Sequence, residues 1–71
     1  MHRNALLRIL ADVEQRLALC EAELADRRAR LVEVADQNRW EAIQAIAGLR
    51  ITQEGHQRRR GLILHALSPP R

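Results

Sequence analysis

Few side chains in this sequence are of the types that carry out catalysis or hold metal ions. The 71 residues include one cysteine, Cys20, and three histidines, His2, His56 and His65, that lie far apart. One cysteine and scattered histidines match no known zinc-ligand spacing, and no Ser, Asp and His grouping suggests a nucleophilic triad. We therefore expect a chain that is not an enzyme and that uses no metal, cofactor or small-molecule substrate.

The run Arg58, Arg59 and Arg60 is the one feature that points to anions. The net charge is only +3, from 12 basic and 9 acidic side chains, and every basic side chain is an arginine. Three adjacent charges on a helix spread around its circumference, and no aromatic side chains lie between them to stack on bases. A solvated run or a contact with an acidic protein is the favoured interpretation, and binding to nucleic acid phosphates is the alternative.

The composition is typical of an all-α protein. Trp40 is the sole aromatic residue, hydrophobic residues make up 46% of the chain, and leucine, alanine, arginine and glutamate are abundant. Short alternating runs of β-branched and aromatic residues, which are typical of strands, are missing from the first half. We expect a single helical unit, and because it has no disulfide or metal to stabilise a small core, we expect association with another chain.

A heptad pattern predicts a long first helix. Its a positions are Leu10, Leu17, Leu24 and Leu31. Its d positions are Leu6, Val13, Cys20, Arg27 and Val34, of which only Arg27 breaks the apolar seam. No Gly or Pro occurs before Gly48, and Asn4 can act as an N-cap, so the helix is predicted over about 4–36. At the d position, Cys20 is expected to pack in the core.

Charged residues flank this seam at the e and g positions. They are Glu14, Arg16, Glu21, Glu23, Arg28 and Arg30. An antiparallel neighbour could match their acidic-to-basic order, and a solvated face with i to i+4 pairs such as Glu23 with Arg27 is the equal alternative.

A turn is predicted at about 36–39, where polar residues cluster. Asn38 followed by Glu41 has the form of a capping box that starts a second helix. In the alternative, the helix continues without a break and Asn38 is a buried polar residue at the next a position.

The second, shorter helix is predicted over about 40–54, with an extension to 67 left open. It would present Trp40, Ile43, Ala47 and Ile51 on one stripe, beside a seam of small residues, Ala45, Gly48, Thr52 and Gly55. The small seam indicates either close approach of another backbone or a frayed helix end. We expect Trp40 to pack across the turn, with a role as an exposed interface anchor as the alternative.

The C-terminal segment contains a short apolar run, 62–67, that could continue the helix or form a strand. Pro69 and Pro70 end any regular element, so a disordered tail is predicted over 68–71. No apolar run approaches the ~20 residues of a membrane span, and the N-terminus lacks the features of a signal peptide, so a cytoplasmic protein is expected.

Three segments resemble the small E-type co-chaperones of bacterial type III secretion, which are helical hairpins of about this length. They are ALCEAELADRRARL, the polar break DQNRW, and GLILHAL. The resemblance implies a cytoplasmic protein that binds a larger helical-repeat chaperone. Together, the two proteins would keep the needle subunit from polymerising.

The sequence therefore predicts a protein-binding helical hairpin or coiled coil. Its partner is a second copy of the chain or a larger helical protein. The predicted partner-binding residues are Leu10, Leu17, Leu24, Leu31, Trp40, Ile43 and Ile51.

Overall fold

The computed structural model describes residues 2–69, and within them the chain forms two helices and no strand. Helix α1 is His2–Leu31, helix α2 is Asp36–Leu67, and residues 32–35 connect them. The all-α prediction is confirmed. The predicted tail at 68–71 falls partly outside the described residues, which end at Pro69.

The two helices pack side by side as an antiparallel hairpin. The Cys20 thiol of α1 donates a hydrogen bond to the carbonyl oxygen of Leu49 in α2, over 3.3 Å. Nearer the end of the hairpin away from the turn, which we call the open end, Glu14 lies 3.7 Å from Arg60. The hairpin is a rod of 54 × 17 × 14 Å, and its helices of 30 and 32 residues account for about 45 to 48 Å of that length at about 1.5 Å per residue.

The core is the heptad seam of α1 packed against one side of α2. Val13, Cys20, Leu24 and Ile63 are buried, with Val13 fully enclosed and Leu24 only 2% exposed. The other apolar seam positions of α1 are half-buried, so the predicted seam is confirmed. Arg27, the one break in the pattern, is exposed and pairs with Glu23 at 2.8 Å, as the i to i+4 alternative predicted.

The turn lies at residues 32–35, so its predicted position at 36–39 is wrong, and so is the alternative of one continuous helix. Ala35 occupies the N-cap position of α2 with an extended backbone and no side-chain cap. Asn38 is inside α2, and its N–H donates to the Ala35 carbonyl oxygen over 2.9 Å. Asn4 likewise lies inside α1, so neither asparagine is a cap.

Charge near the ends of the helices explains how they stop and start without Gly or Pro. Arg28 and Arg30 lie in the last turn of α1, and Asp36 lies in the first turn of α2. The two arginines oppose the partial negative charge at the C-terminal end of α1, and Asp36 opposes the partial positive charge at the N-terminal end of α2. Both interactions favour helix ends at these points. This pairing of basic last turn and acidic first turn was the sequence signal for the turn at 32–35.

Helix α2 is continuous from Asp36 to Leu67, so the apolar run 62–67 is helical. The alternative prediction of a frayed helix end at the glycines is therefore wrong. With 32 residues against 30 for α1, α2 is not the shorter helix that was predicted. It ends before Pro69, where the Ser68 N–H donates to the carbonyl oxygens of Leu64 and His65.

The glycines of α2 are expected to weaken it without serving the hairpin. A Cβ built at Gly55 or Gly61 meets no atom within 4 Å, and neither glycine has a positive φ. Because glycine in a helix interior costs about 1 kcal/mol relative to alanine, Gly55→Ala and Gly61→Ala should each raise the free energy of unfolding by up to that amount. Urea unfolding followed by circular dichroism measures it. A loss of stability in either variant would contradict the open surroundings of that glycine.

Candidate protein-binding face

The side of α2 that packs on α1 is a seam of mixed polarity. Its positions alternate in steps of four and three, as a heptad requires. They are Ala42, Ile46, Leu49, Gln53, His56, Arg60, Ile63 and Leu67. Because Gln53, His56 and Arg60 interrupt it, this seam has no continuous apolar pattern in the sequence.

The opposite side of α2 carries the stripe predicted from the sequence, and we call Trp40, Ile43, Ala47 and Ile51 the outer face of α2. Ile51 lies two residues from Leu49 of the inner seam, which corresponds to about 200° of rotation around the helix. Trp40 is 67% exposed, Ile43 42% and Ile51 70%. The hairpin therefore leaves three large apolar side chains of one helix face in solvent.

A shallow groove of 350 Å³ follows the outer face of α2. Its lining residues are Ile43, Ile46, Ala47, Arg50, Ile51 and Glu54. Four of these side chains are apolar, and Arg50 and Glu54, which lie one helical turn apart, contribute one charge of each sign at one end of the groove. The groove is therefore mainly apolar along its length.

Exposed apolar residues on α1 do not form a comparable face. Leu7, Ile9 and Leu19 are exposed. Leu7 and Ile9 are two residues apart and point to opposite sides of the helix, and Leu19 lies three turns further along. Scattered exposed leucines are normal on a protein surface, whereas a helical stripe of large apolar residues is not.

The structure separates the predicted partner-binding residues into two groups. Leu24 is buried and Leu10, Leu17 and Leu31 are half-buried on the side of α1 that faces α2. These four leucines hold the hairpin together, and their role in binding a partner stays a prediction. Trp40, Ile43 and Ile51 share the exposed outer face of α2.

Trp40 does not pack across the turn, so that prediction is wrong, and its side chain is largely exposed. The reason is the position of the turn: with α2 starting at Asp36, Trp40 comes one helical turn into the helix and on the side away from α1.

Cys20 lies in the core, as predicted for a small residue at a d position. It is 7% exposed, and its thiol is free. The hydrogen bond from its Sγ to the Leu49 carbonyl oxygen places α1 and α2 close together at mid-length. Larger side chains would separate the helices here.

The arginine run projects from α2 near the open end of the hairpin. Arg58, Arg59 and Arg60 are all exposed. Only Arg60 forms an ion pair within residues 2–69, with Glu14 of α1. Since adjacent residues differ by about 100° around a helix, the three guanidinium groups do not form one cluster.

A second groove, of 280 Å³, lies at the turn end of the hairpin. Its lining residues are Glu23, Asp26, Arg27, Arg30, Val34 and Ala42. The charged groups along it are paired within α1, Glu23 with Arg27 and Asp26 with Arg30 at 2.7 Å.

Residues 2–69 contain neither a cluster of metal ligands nor a membrane-spanning helix. No group of three His, Cys, Asp or Glu side chains in this range lies close enough together to hold a metal ion. Neither helix contains an apolar stretch long enough to cross a membrane.

Comparison of the chain with protein-family models, with curated proteins and with solved structures gave no significant match.

Proposed function

We propose that this chain is a non-catalytic interaction module that binds a helix of another polypeptide on the outer face of α2. The observation that carries the proposal is the exposure of Trp40, Ile43 and Ile51 together on one side of a helix whose other side is already packed. Monomeric proteins rarely leave a continuous apolar stripe in water.

The residue types on this face favour binding by a protein. Tryptophan is among the side chains that contribute most to binding when it is enclosed at an interface. The two isoleucines lose little side-chain entropy when they are ordered. Burying three such side chains provides the apolar centre that protein interfaces need.

The spacing of the face favours a helical partner. Trp40, Ile43, Ala47 and Ile51 follow one another at three or four residues, so they form a straight ridge about 17 Å long. A ridge of this kind packs into the groove between the side-chain rows of another helix.

The secretion hypothesis is the narrower form of this proposal. A small co-chaperone or assembly adaptor of a type III secretion system would use the outer face of α2 to bind a larger helical protein. We also propose a cytoplasmic location, which is the location that the resemblance to the co-chaperones implies.

Site-specific photocrosslinking tests the proposal. A benzoylphenylalanine at position 51 should give a discrete crosslinked product in cells of the source organism, because the side chain there would be enclosed by the partner. The same group in place of Leu19, an equally exposed leucine of α1, is the control. Equal labelling from both positions, or no product from position 51, would contradict the proposal.

Anion binding at the open end is the second candidate, and it is favoured by the distribution of charge. Residues 2–17 and 54–69 contain six arginines and three carboxylates, whereas 18–53 contain five arginines and six carboxylates. The six arginines are Arg3, Arg8, Arg16, Arg58, Arg59 and Arg60. An acidic protein or the phosphates of a nucleic acid would bind at this end.

Replacing Arg58, Arg59 and Arg60 together with glutamine separates the two candidates. Exposed ion pairs contribute about 0 to 1 kcal/mol each, so the variant should keep its helicity nearly unchanged. Affinity for nucleic acid, measured by fluorescence anisotropy over a range of salt concentrations, should fall if phosphate binding is the function. A wild-type affinity with a steep salt dependence that the variant loses would replace the helix-binding proposal.

A further inference from the structure

The residues on the outer face of α2 are arranged symmetrically about Ala47. Ile43 and Ile51 lie four residues to either side of it, and Trp40 and Glu54 lie seven residues to either side. Eleven residues to either side are Asp36 and Arg58. Offsets of four, seven and eleven residues are close to whole helical turns, so all of these positions share one face.

From this pattern we propose that the outer face of α2 binds the same face of a second copy of the chain, in an antiparallel pair with its two-fold axis at Ala47. This inference rests on the proposed function and names the partner. A two-fold contact of this kind joins identical patches, so each residue at a given distance before Ala47 lies opposite the residue at that distance after it.

The apolar centre of the pair would be Ile43 packed on Ile51 of the second copy, twice, around the two Ala47 residues. Ala47 has the smallest side chain on the face, which lets the two helix backbones approach at the axis. The ends of the helices remain free to diverge, as in other packed helix pairs.

The charges at both ends of the contact are complementary only in the antiparallel orientation. Asp36 faces Arg58 of the second copy, and the Trp40 indole N–H, which can only donate, faces the Glu54 carboxylate. A parallel pair would instead set Asp36 against Asp36 and Arg58 against Arg58. Like charges at facing positions disfavour that orientation.

The hairpin leaves these charged groups available for a partner. Asp36, Glu54 and Arg58 are exposed, and none of them forms an ion pair within the described part of the chain. From Asp36 to Arg58 the contact would be about 33 Å long. Its apolar centre is short, so we expect a dissociation constant of the order of micromolar.

Charge reversal on the full chain tests the orientation, with the dissociation constant measured by sedimentation equilibrium. Asp36→Arg and Arg58→Asp should each weaken the dimer by about tenfold or more, because each change puts like charges at both ends of the contact. The double variant D36R/R58D should return to within about threefold of the wild type, since it restores both pairs. Circular dichroism at low concentration checks that the hairpin stays helical.

The matched controls are Glu41→Arg and Arg59→Asp, which make the same charge changes on exposed positions of α2 away from the outer face. They should change the dissociation constant by less than about threefold. If the two test variants behave like these controls, or if the double variant is weaker than either single one, the antiparallel pairing is wrong.

The photocrosslinking product distinguishes this inference from the proposed function. A product of about twice the 8.2 kDa mass of the chain supports the second copy as partner. A product that contains a different protein, together with a chain that remains monomeric at all concentrations, overturns the dimer and keeps the helix-binding function. No product overturns both.

Discussion

Replacing Leu24 with alanine is expected to lower the free energy of unfolding by about 2 to 5 kcal/mol, enough to unfold most of the chain at room temperature. Leu24 is the larger of the two side chains that the hairpin encloses almost completely. Truncating a buried leucine loses its apolar contacts and leaves a cavity that the surroundings fill only in part. A core in a chain of this length rarely supplies more than about 3 to 5 kcal/mol.

Two leucines of the same helix serve as references for that change. Leu19→Ala removes the same atoms from a side chain that is 64% exposed, so it should alter stability by less than about 0.5 kcal/mol. Leu17→Ala, at a half-buried position, should fall between the two. Urea unfolding followed by circular dichroism gives all three values. Equal effects at Leu19 and Leu24 would show that the α1 seam does not face α2.

The first helix and its buried side could be predicted because its seam consists of large apolar residues at regular steps of three and four. Only Arg27 departs from that pattern, and Arg27 is also the seam residue that stays exposed. Local spacing therefore determines both the helix and its orientation toward α2. The same rule predicted a core position for Cys20.

The inner side of α2 could not be predicted in the same way, because two half-buried positions of its seam are Gln53 and His56. The more continuous apolar stripe of α2 is the one that faces solvent, with Ala47 at its centre. Periodicity indicates that a helix has an apolar face, but it does not say whether that face meets another part of the same chain.

The position of the turn was missed for a related reason. A cluster of polar residues and a capping box are the usual marks of a helix start, and residues 36–39 have both. In the structure Val34 is half-buried at the end of the α1 seam, so the connection itself closes the core between the helices. Packing of one apolar side chain, together with the charges at Arg30 and Asp36, places the turn before the polar cluster.

Thermal stability of the wild type is expected to rise with protein concentration, because the four buried side chains of the hairpin form a small core and association adds to it. For folded hairpins that pair, a tenfold rise in concentration above the dissociation constant adds about 0.7 kcal/mol per chain, which corresponds to roughly 3 to 5 °C in Tm. Differential scanning calorimetry over several concentrations measures this slope.

Ile51→Glu is expected to remove that concentration dependence and to weaken association at least about 30-fold, because an unpaired carboxylate would be enclosed against Ile43 of the second copy. The hairpin should keep its helicity, since Ile51 is 70% exposed within it. Emission from Trp40, the sole tryptophan, reports the same event: its maximum should shift to shorter wavelength as wild-type concentration rises and stay constant in the variant.

Leu19→Glu, the same charge on an equally exposed position of α1, should keep the wild-type dependence of Tm on concentration. A Tm that is independent of concentration in the wild type, with a sharp transition of the monomer, would show that the hairpin needs no partner to fold and that its outer face does not bind a second copy.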